Sequence, residues 1–361
     1  MKPADFLQLD ALDPLVVLGI MSGTSLDGID LAAVQFTPQD DALHFQILHA
    51  ETRPYPPSLH QALNDIIHQS DEVIRQTERT WTDFAIDAVR DFIHTTGIHL
   101  HLIASHGHTV FHQPERAFTL QIGNGAAMAK ALQRPVVWDF RTQDVQLGGQ
   151  GAPLVPIGDV LLFGDYQYCL NLGGIANVSF DNEHGQRIAF DICPCNLVLN
   201  YYSRRLHQPF DRGGSLAEKG QIVPDLLSHW EQLEYYQLPP PKSLGREWVE
   251  QHFFLPDAEA IHPHDALRTA TEHIARQIAR ACPKNGKMLI TGGGAFNTFL
   301  IKRIRALSNC TIDIPDDYLV KYKEALIFAL MGYLRWYGQI NVLHSATGAR
   351  YSHSSGKIAA P

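Results

Sequence analysis

Residues 15–36 read Leu15-Val16-Val17-Leu18-Gly19-Ile20-Met21-Ser22-Gly23-Thr24-Ser25-Leu26-Asp27-Gly28-Ile29-Asp30-Leu31-Ala32-Ala33-Val34-Gln35-Phe36, and the division of this stretch decides the fold. Residues 15–20 are apolar on both alternating faces, which predicts a central strand covered from both sides. Residues 22–28 form a polar turn with two glycines, and residues 30–36 return as a second apolar run, so the stretch predicts a hairpin. The plan recurs later in the chain. Tyr168-Cys169-Leu170-Asn171-Leu172 is a strand, Gly173-Gly174-Ile175-Ala176-Asn177 a glycine turn and Val178-Ser179-Phe180 a return, followed by a strand over residues 187–191. Two such units predict two lobes of related design.

Outward from these units, Leu59, Leu63, Ile66 and Ile67, then Phe84, Ala85, Ala88, Val89 and Phe92, recur at helical spacing and predict helices over residues 58–95. Residues 102–105 predict a buried strand opening into Ser105-His106-Gly107-His108-Thr109, and residues 135–141 a strand ending in charge. The densest glycine cluster, Leu147-Gly148-Gly149-Gln150-Gly151-Ala152-Pro153, predicts a hinge or lobe boundary. Residues 238–243 are proline-rich and predict a surface loop. A helix over residues 265–281, a strand over 287–290, a glycine turn and helix from Thr291, and a last helix over 323–337 complete the chain. The tail from Ser345 has little apolar content and is expected to fray.

Composition narrows the function classes. Of 361 residues, 45% are hydrophobic and 19% charged, a globular balance with ample core material. Lys and Arg number 29 against 38 Asp and Glu, so 29 − 38 gives a net charge of −9. There is no Lys/Arg block to follow a phosphate backbone, which argues against a nucleic-acid partner. The longest apolar runs, residues 15–20 and 326–331, fall far short of the roughly 20 residues that cross a bilayer. The start lacks a basic segment followed by an apolar one. A soluble, cytoplasmic protein without membrane partners is expected. Five cysteines read better as reduced thiols than as a disulfide scaffold.

Three glycine turns, Gly23 to Gly28, Gly173-Gly174 and Gly292-Gly293-Gly294, each follow a predicted strand. Glycine lets backbone N–H groups approach an anion closely. The first turn adds the Thr24 and Ser25 hydroxyls and the Asp27 carboxylate, a suitable partner for Mg²⁺ directly or through water. Each turn alone has an ordinary geometric reading; together they favour a nucleotide. Asp191 ends a predicted strand, where a carboxylate can act as a general base or simply cap the next helix. His106, His108 and His112 raise a second possibility, a metal-dependent hydrolase, against substrate hydrogen bonding. The Cys193-Pro194-Cys195 pair lacks the further ligands a tight metal site needs. Asp139, Arg141, Asp144 and Glu324 each read by default as solvated charges.

Taken in order, several segments resemble the anhydro-N-acetylmuramic acid kinases of the sugar kinase/Hsp70/actin superfamily. They are Met21 to Asp30, Ser105-His106-Gly107, Leu120-Gln121-Ile122-Gly123-Asn124, Asp139-Phe140-Arg141, Gly148 to Pro156, Asn171 to Asn177, Pro241-Lys242-Ser243-Leu244-Gly245-Arg246-Glu247, Gly292 to Asn297 and Lys323-Glu324-Ala325. The resemblance implies an α/β, two-lobed, actin-like ATPase (ribonuclease H-like) fold with a central interlobe cleft. It places residues 1–145 and 325–361 in one lobe and 146–324 in the other. It also implies ATP and Mg²⁺, a small sugar substrate and a homodimer. By matched position Asp191 would activate water, and Gly23, Thr24, Ser25, Leu26, Asp27, Gly28, Ile29 and Asp30 would hold the phosphates, with Asp27 near Mg²⁺. Gly173 and Gly174 would form the second phosphate turn, and Gly292, Gly293, Gly294 and Asn297 would approach the nucleoside. His108, Asn124, Arg141 and Glu324 would face the sugar. The chain departs from the family pattern at His108, where Gln is common, and at Ile192-Cys193-Pro194-Cys195-Asn196, where Thr-Gly-Pro-Gly-Asn is common. A same-fold kinase for another anhydro- or amino sugar and a non-catalytic nucleotide-binding regulator are the remaining readings.

Overall fold

The computed structural model describes residues 7–23, 26–40, 42–254 and 261–361. They form two compact units, one of residues 1–163 and 322–361 and the other of residues 164–321. The sequence had set the lobe limits at 145/146 and 324/325. Each unit is described by itself.

The first unit is built on a seven-stranded sheet. β1 (Leu15–Ser22), β2 (Gly28–Gln39) and β3 (Ala42–Pro54) form an antiparallel meander. β4 (Leu102–Gln113) lies parallel to the other edge of β1, and β6 (Val136–Trp138) parallel to β4. β5 (Phe118–Ile122) pairs antiparallel with the far end of β4, and the C-terminal strand Lys357–Ala359 closes the edge beside β6. β1 is central, as its unbroken apolarity requires. Leu18 and Ile20 face a core completed by Leu59, Leu63, Trp81, Ala85, Val89 and Phe92 of helices Pro57–Asp65 and Asp71–Thr96. The longer helix starts where the Ser70 hydroxyl accepts from the Val73 N–H and stops at left-handed Gly97. Ile67, one of the apolar positions that predicted a helix, sits in a 3₁₀ turn and is exposed.

The second unit repeats this plan in a five-stranded sheet. β7 (Tyr168–Leu172), β8 (Ile175–Asp181) and β9 (Arg187–Pro194) form the meander. β10 (Gly286–Thr291) runs parallel to β7, and β11 (Cys310–Asp313) parallel to β10. The order β3-β2-β1-β4-β6 in the first unit matches β9-β8-β7-β10-β11 in the second, with the last two strands of each parallel to the central one. The recurring hairpin in the sequence is therefore a recurring sheet.

Three expectations are corrected. The strand carrying Asp191 does not end there; it continues through Pro194 as an edge strand. The tail is held in place rather than frayed, because polar groups replace the missing apolar contacts. Ser355 Oγ donates to the Phe140 carbonyl at 2.7 Å, and Asn341 Nδ2 to the carbonyls of Met331 and Ser355, both at 2.9 Å. The glycine cluster lies inside the first unit and is pinned there. Asp144, fully buried rather than solvated, accepts from Gly151 N at 2.7 Å and from Thr347 Oγ1 at 2.8 Å. β3, β5 and β11 have no counterpart among the strands the sequence predicts.

Helix Asp317–Trp336 covers the other face of β1. Its backbone comes so close at Ala325 that a Cβ on Gly19 would overlap the Ala325 carbonyl, and a Cβ on Gly332 has the same conflict with the Ala104 side chain. Gly19→Ala is expected to lower unfolding free energy by roughly 1–3 kcal/mol. A fall in the urea midpoint at unchanged slope checks this.

Candidate functional site

In the first unit the glycine turn begins at the end of β1. Thr24 and Ser25, two of its expected phosphate contacts, lie outside the described residues. Leu26 is left-handed (φ 61°), and its N–H donates to the Gly23 carbonyl at 3.4 Å. Gly28 (φ 153°) faces the Arg53 carbonyl at a distance that leaves no room for a side chain. Ile29, the next expected contact, is fully buried, so only its backbone can serve a ligand. Asp27 is exposed, and Asp30 is half-buried and accepts from Thr52 Oγ1 at 2.6 Å. Burial chiefly raises the Asp30 pKa, with the Asp27 charge adding to the shift. Asp27 and Asp30 thus form a repelling pair that a divalent cation relieves, and an exposed carboxylate suits a metal that keeps most of its waters. No group of three or more His, Cys, Asp or Glu side chains among the described residues is arranged to hold a metal by itself.

The electrostatic chain extends beyond this pair. Burial and the Asp30 charge push the Glu324 carboxyl up against the pull of Arg141 and Lys323. Burial lowers the Arg141 guanidinium to about 10, opposed by Glu324 and Asp144, so it stays protonated at neutral pH. Lys323 itself is buried and bonds to Asp159 at 2.6 Å. Arg141 Nε donates to His106 Nε2 at 3.0 Å, and its Nη1 to the Gly151 carbonyl at 2.5 Å.

That contact settles the His106 ring. With Nε2 accepting, Nδ1 carries the proton and donates to the Gly107 carbonyl at 3.0 Å. Both nitrogens are engaged, and burial with the Arg141 charge holds the ring neutral. A metal at His106 would have to displace both partners, so the metallohydrolase reading loses its first ligand. His108 sits in a different network. Trp81 Nε1 donates to Tyr55 Oη at 2.9 Å, Tyr55 lies 2.6 Å from Ser22 Oγ, and Ser22 Oγ lies 2.8 Å from His108 Nδ1. An indole only donates, so a proton order that gives each group a partner runs Trp81 to Tyr55 to Ser22 to His108. Nδ1 then accepts, and Nε2–H remains as the donor on the ring. Sequence reasoning missed Tyr55 and Trp81, because nothing in their spacing links residues from a loop and a helix to the end of β1.

Asn124 Oδ1 caps helix Gly125–Leu132 by accepting from Ala127 N at 3.0 Å. A cavity of about 340 Å³ opens beside it, lined among others by Glu78, His106, Gln121, Trp138, Asp139 and Lys357. His108, Arg141 and Glu324 are not part of its wall, although Arg141 bonds to His106, which is.

In the second unit the Gly173 and Gly174 carbonyls accept from the N–H groups of Cys195, Asn196 and Leu197 at 2.9–3.1 Å. The electronegative side of that turn thus faces the start of helix Asn196–Arg204 rather than a phosphate. Gly292 (φ 82°) and Gly294 pack against Asn171 and Leu172, where side chains would collide, so this turn lies directly beside the end of β7. Gly293 opens the 3₁₀ turn Gly293–Phe296. Asn297 caps helix Thr298–Leu307 through Leu300 N at 3.0 Å. Cys193 and Cys195 are buried, and burial pushes the Cys195 thiol up to about 12, so both stay protonated and suit neither metal nor redox work.

Asp191 is held from three sides. Its N–H donates to the Lys242 carbonyl at 3.1 Å, its Oδ2 accepts from Leu244 N at 2.9 Å, and its carbonyl accepts from Tyr235 Oη at 2.6 Å. Burial raises its pKa, only partly offset by the Leu244 N–H. The proline-rich loop, predicted as plain surface, is therefore the clamp on this carboxylate. Its signal was present in the sequence as Pro241 to Glu247, without a role attached.

Comparison with known proteins supplies the remaining finding. A family model described as anhydro-N-acetylmuramic acid kinase matches residues 15–361. A protein of that name from Gloeobacter violaceus is 36% identical over 94% of this chain and 97% of its own. One from Vibrio cholerae is 35% identical over 95% and 98%, and one from Xylella fastidiosa 34% identical over 92% and 93%.

Burial lowers the His108 pKa to about 4. A depressed pKa gives stability that is intact above the unfolded value near 6.5 and is lost as pH falls toward the folded value. Between pH 7 and 5 the loss from this ring is about 2 kcal/mol. Urea unfolding at the two pH values is expected to show that loss shrinking by this amount in His108→Gln.

Proposed function

Because the chain belongs to the anhydro-N-acetylmuramic acid kinase family, we propose that it opens 1,6-anhydro-N-acetylmuramic acid and phosphorylates O6 at the expense of ATP, serving cell-wall recycling. In such a sugar O6 is tied to the anomeric carbon, so no free hydroxyl is available to phosphorylate. Asp191 takes a proton from water as the water oxygen bonds to that carbon. The carbon–O6 bond breaks, O6 bonds to the γ-phosphorus, and the bond from phosphorus to the ADP oxygen breaks. The observation that carries this reading is the Asp191 carboxylate: half-buried, raised in pKa, and fixed through Oδ2 by a backbone amide. A carboxylate made more basic by burial and held in one orientation is what a general base requires.

The remaining assignments follow from the same reading. The backbone of Gly23 to Asp30 and of Gly173-Gly174 would cradle phosphates, and Gly292 to Asn297 would lie along the nucleoside. Asp27 would hold Mg²⁺, which when bound draws off developing phosphate charge. The protonated Arg141, the Glu324 carboxyl, the His108 Nε2–H and the Asn124 amide would orient the sugar. The assembly is read as a homodimer and the compartment as the cytoplasm. Among the described residues no helix is long and apolar enough to cross a membrane.

Incubation with Mg²⁺-ATP and the anhydro sugar in ¹⁸O-water is expected to yield a phosphorylated sugar carrying one heavy oxygen at the anomeric centre. Unlabelled phosphorylated product, seen by mass spectrometry under conditions that exclude back-exchange, would defeat the coupled mechanism. Asp191→Asn is expected to cut turnover by roughly 10²–10⁴-fold with ATP affinity by calorimetry unchanged. In the wild type the acid limb of the pH–rate profile is expected above the ordinary Asp value near 3.9, because activity is lost as Asp191 protonates. An acid limb at or below that value would separate Asp191 from the base.

A further inference from the structure

A second cavity, of about 530 Å³, lies wholly within the second unit. Its wall includes Phe190 and Ile192, the neighbours of Asp191 on β9. Side chains alternate along a strand, so this wall belongs to the face turned away from Asp191, the face packed against helix Pro263–Ala281. Asp191 does not line it. Nothing in the proposed reaction uses this space.

Gln277 lines this cavity, is only 5% exposed, and its Nε2 has no hydrogen-bond partner among the described residues. An unpaired buried amide is destabilising, a penalty that a ligand acceptor or an ordered water removes. Two cations, Lys242 and Arg280, share the wall with one carboxylate, Glu231. Glu231 pairs with Arg276 at 3.2 Å and with Arg280 at 3.1 Å, and Lys242 Nζ donates to the Tyr235 carbonyl at 3.1 Å, so the wall as a whole keeps a positive balance with both of its cations already partnered. The Tyr236 ring and the Phe190 and Ile192 side chains supply an apolar side, and Ser228, Gln232 and Gln237 add small polar groups at the rim. The volume falls within the range of small-molecule sites. Excess positive charge, amides suited to hydroxyl groups and an aromatic ring suited to the flat face of a pyranose describe one class of ligand.

From this we infer that the second unit carries a separate binding site for a small anionic sugar of the sugar phosphate class. The site does not depend on the kinase reading. Its occupant would touch Lys242, whose carbonyl accepts the Asp191 N–H.

Calorimetric titration of the full chain with N-acetylglucosamine 6-phosphate, N-acetylglucosamine and inorganic phosphate tests it. Saturable one-to-one binding of the sugar phosphate is expected, at least tenfold tighter than either of the other two. Gln277→Leu and Arg280→Gln are each expected to weaken it tenfold or more. The Arg280 side chain is 55% exposed, which keeps the test open should the buried substitution disturb folding. No binding, or binding unchanged in a folded Arg280→Gln protein, would overturn the site. Inorganic phosphate binding as tightly as the sugar phosphate would overturn its assignment to a sugar. No turnover enters the measurement, so its failure leaves the kinase reading untouched.

Discussion

The first unit depends on a backbone-to-backbone approach. Helix Asp317–Trp336 can lie against β1 only because residue 19 has no side chain, and against β4 only because residue 332 has none. The contact at Gly19 is made by Ala325, the residue after Glu324. The glycine therefore sets the height at which Glu324 sits beside Asp30 and Arg141. Packing of this kind is hard and short-ranged, so an electrostatic arrangement inherits its position from a steric one.

The same unit handles its ionisable groups by two opposite routes. Histidines 106 and 108 are kept neutral by burial and by partners that fix which nitrogen carries the proton. The acidic groups are pushed toward protonation, Asp30 by burial and the Asp27 charge and Glu324 by burial and the Asp30 charge, while the charged Arg141 offsets part of the shift at Glu324. Asp191 in the second unit shows the same principle on a single group, with a backbone amide limiting how far its pKa climbs.

Both sheets were legible because their central strands, β1 and β7, are mostly apolar and each is followed by glycine. Periodicity of that kind survives any tertiary context. β3 was not, since its burial is patchy along its length, and β11 is too short for a pattern to accumulate. Glycine turns and Asp191 could be found from the chain, whereas what they bond to could not. Gly173 and Gly174 spend their carbonyls on a helix start more than twenty residues later, and Asp191 is gripped by a loop some fifty residues away. Asn124 and Asn297 carry an ambiguity that only coordinates resolve, because a residue suited to a ligand is equally suited to begin a helix. Asp144 misled because a buried carboxylate bonded to a hydroxyl and an amide looks, in sequence, like a solvated one, and the tail from Ser345 because it is held by polar groups such as Ser355 rather than by apolar contacts.

The order of strands also has a consequence for the chain as it is made. The second unit is continuous in sequence, from residue 164 to 321, whereas the first is assembled from two segments, the later of which supplies its covering helix and its edge strand. During synthesis the middle of the chain is complete and free to fold while β1, β4 and β6 are still without the helix that covers their second face. Nascent chains released before residue 322 would thus hold one finished unit and one sheet with an open apolar side, a species that chaperones bind and proteases remove.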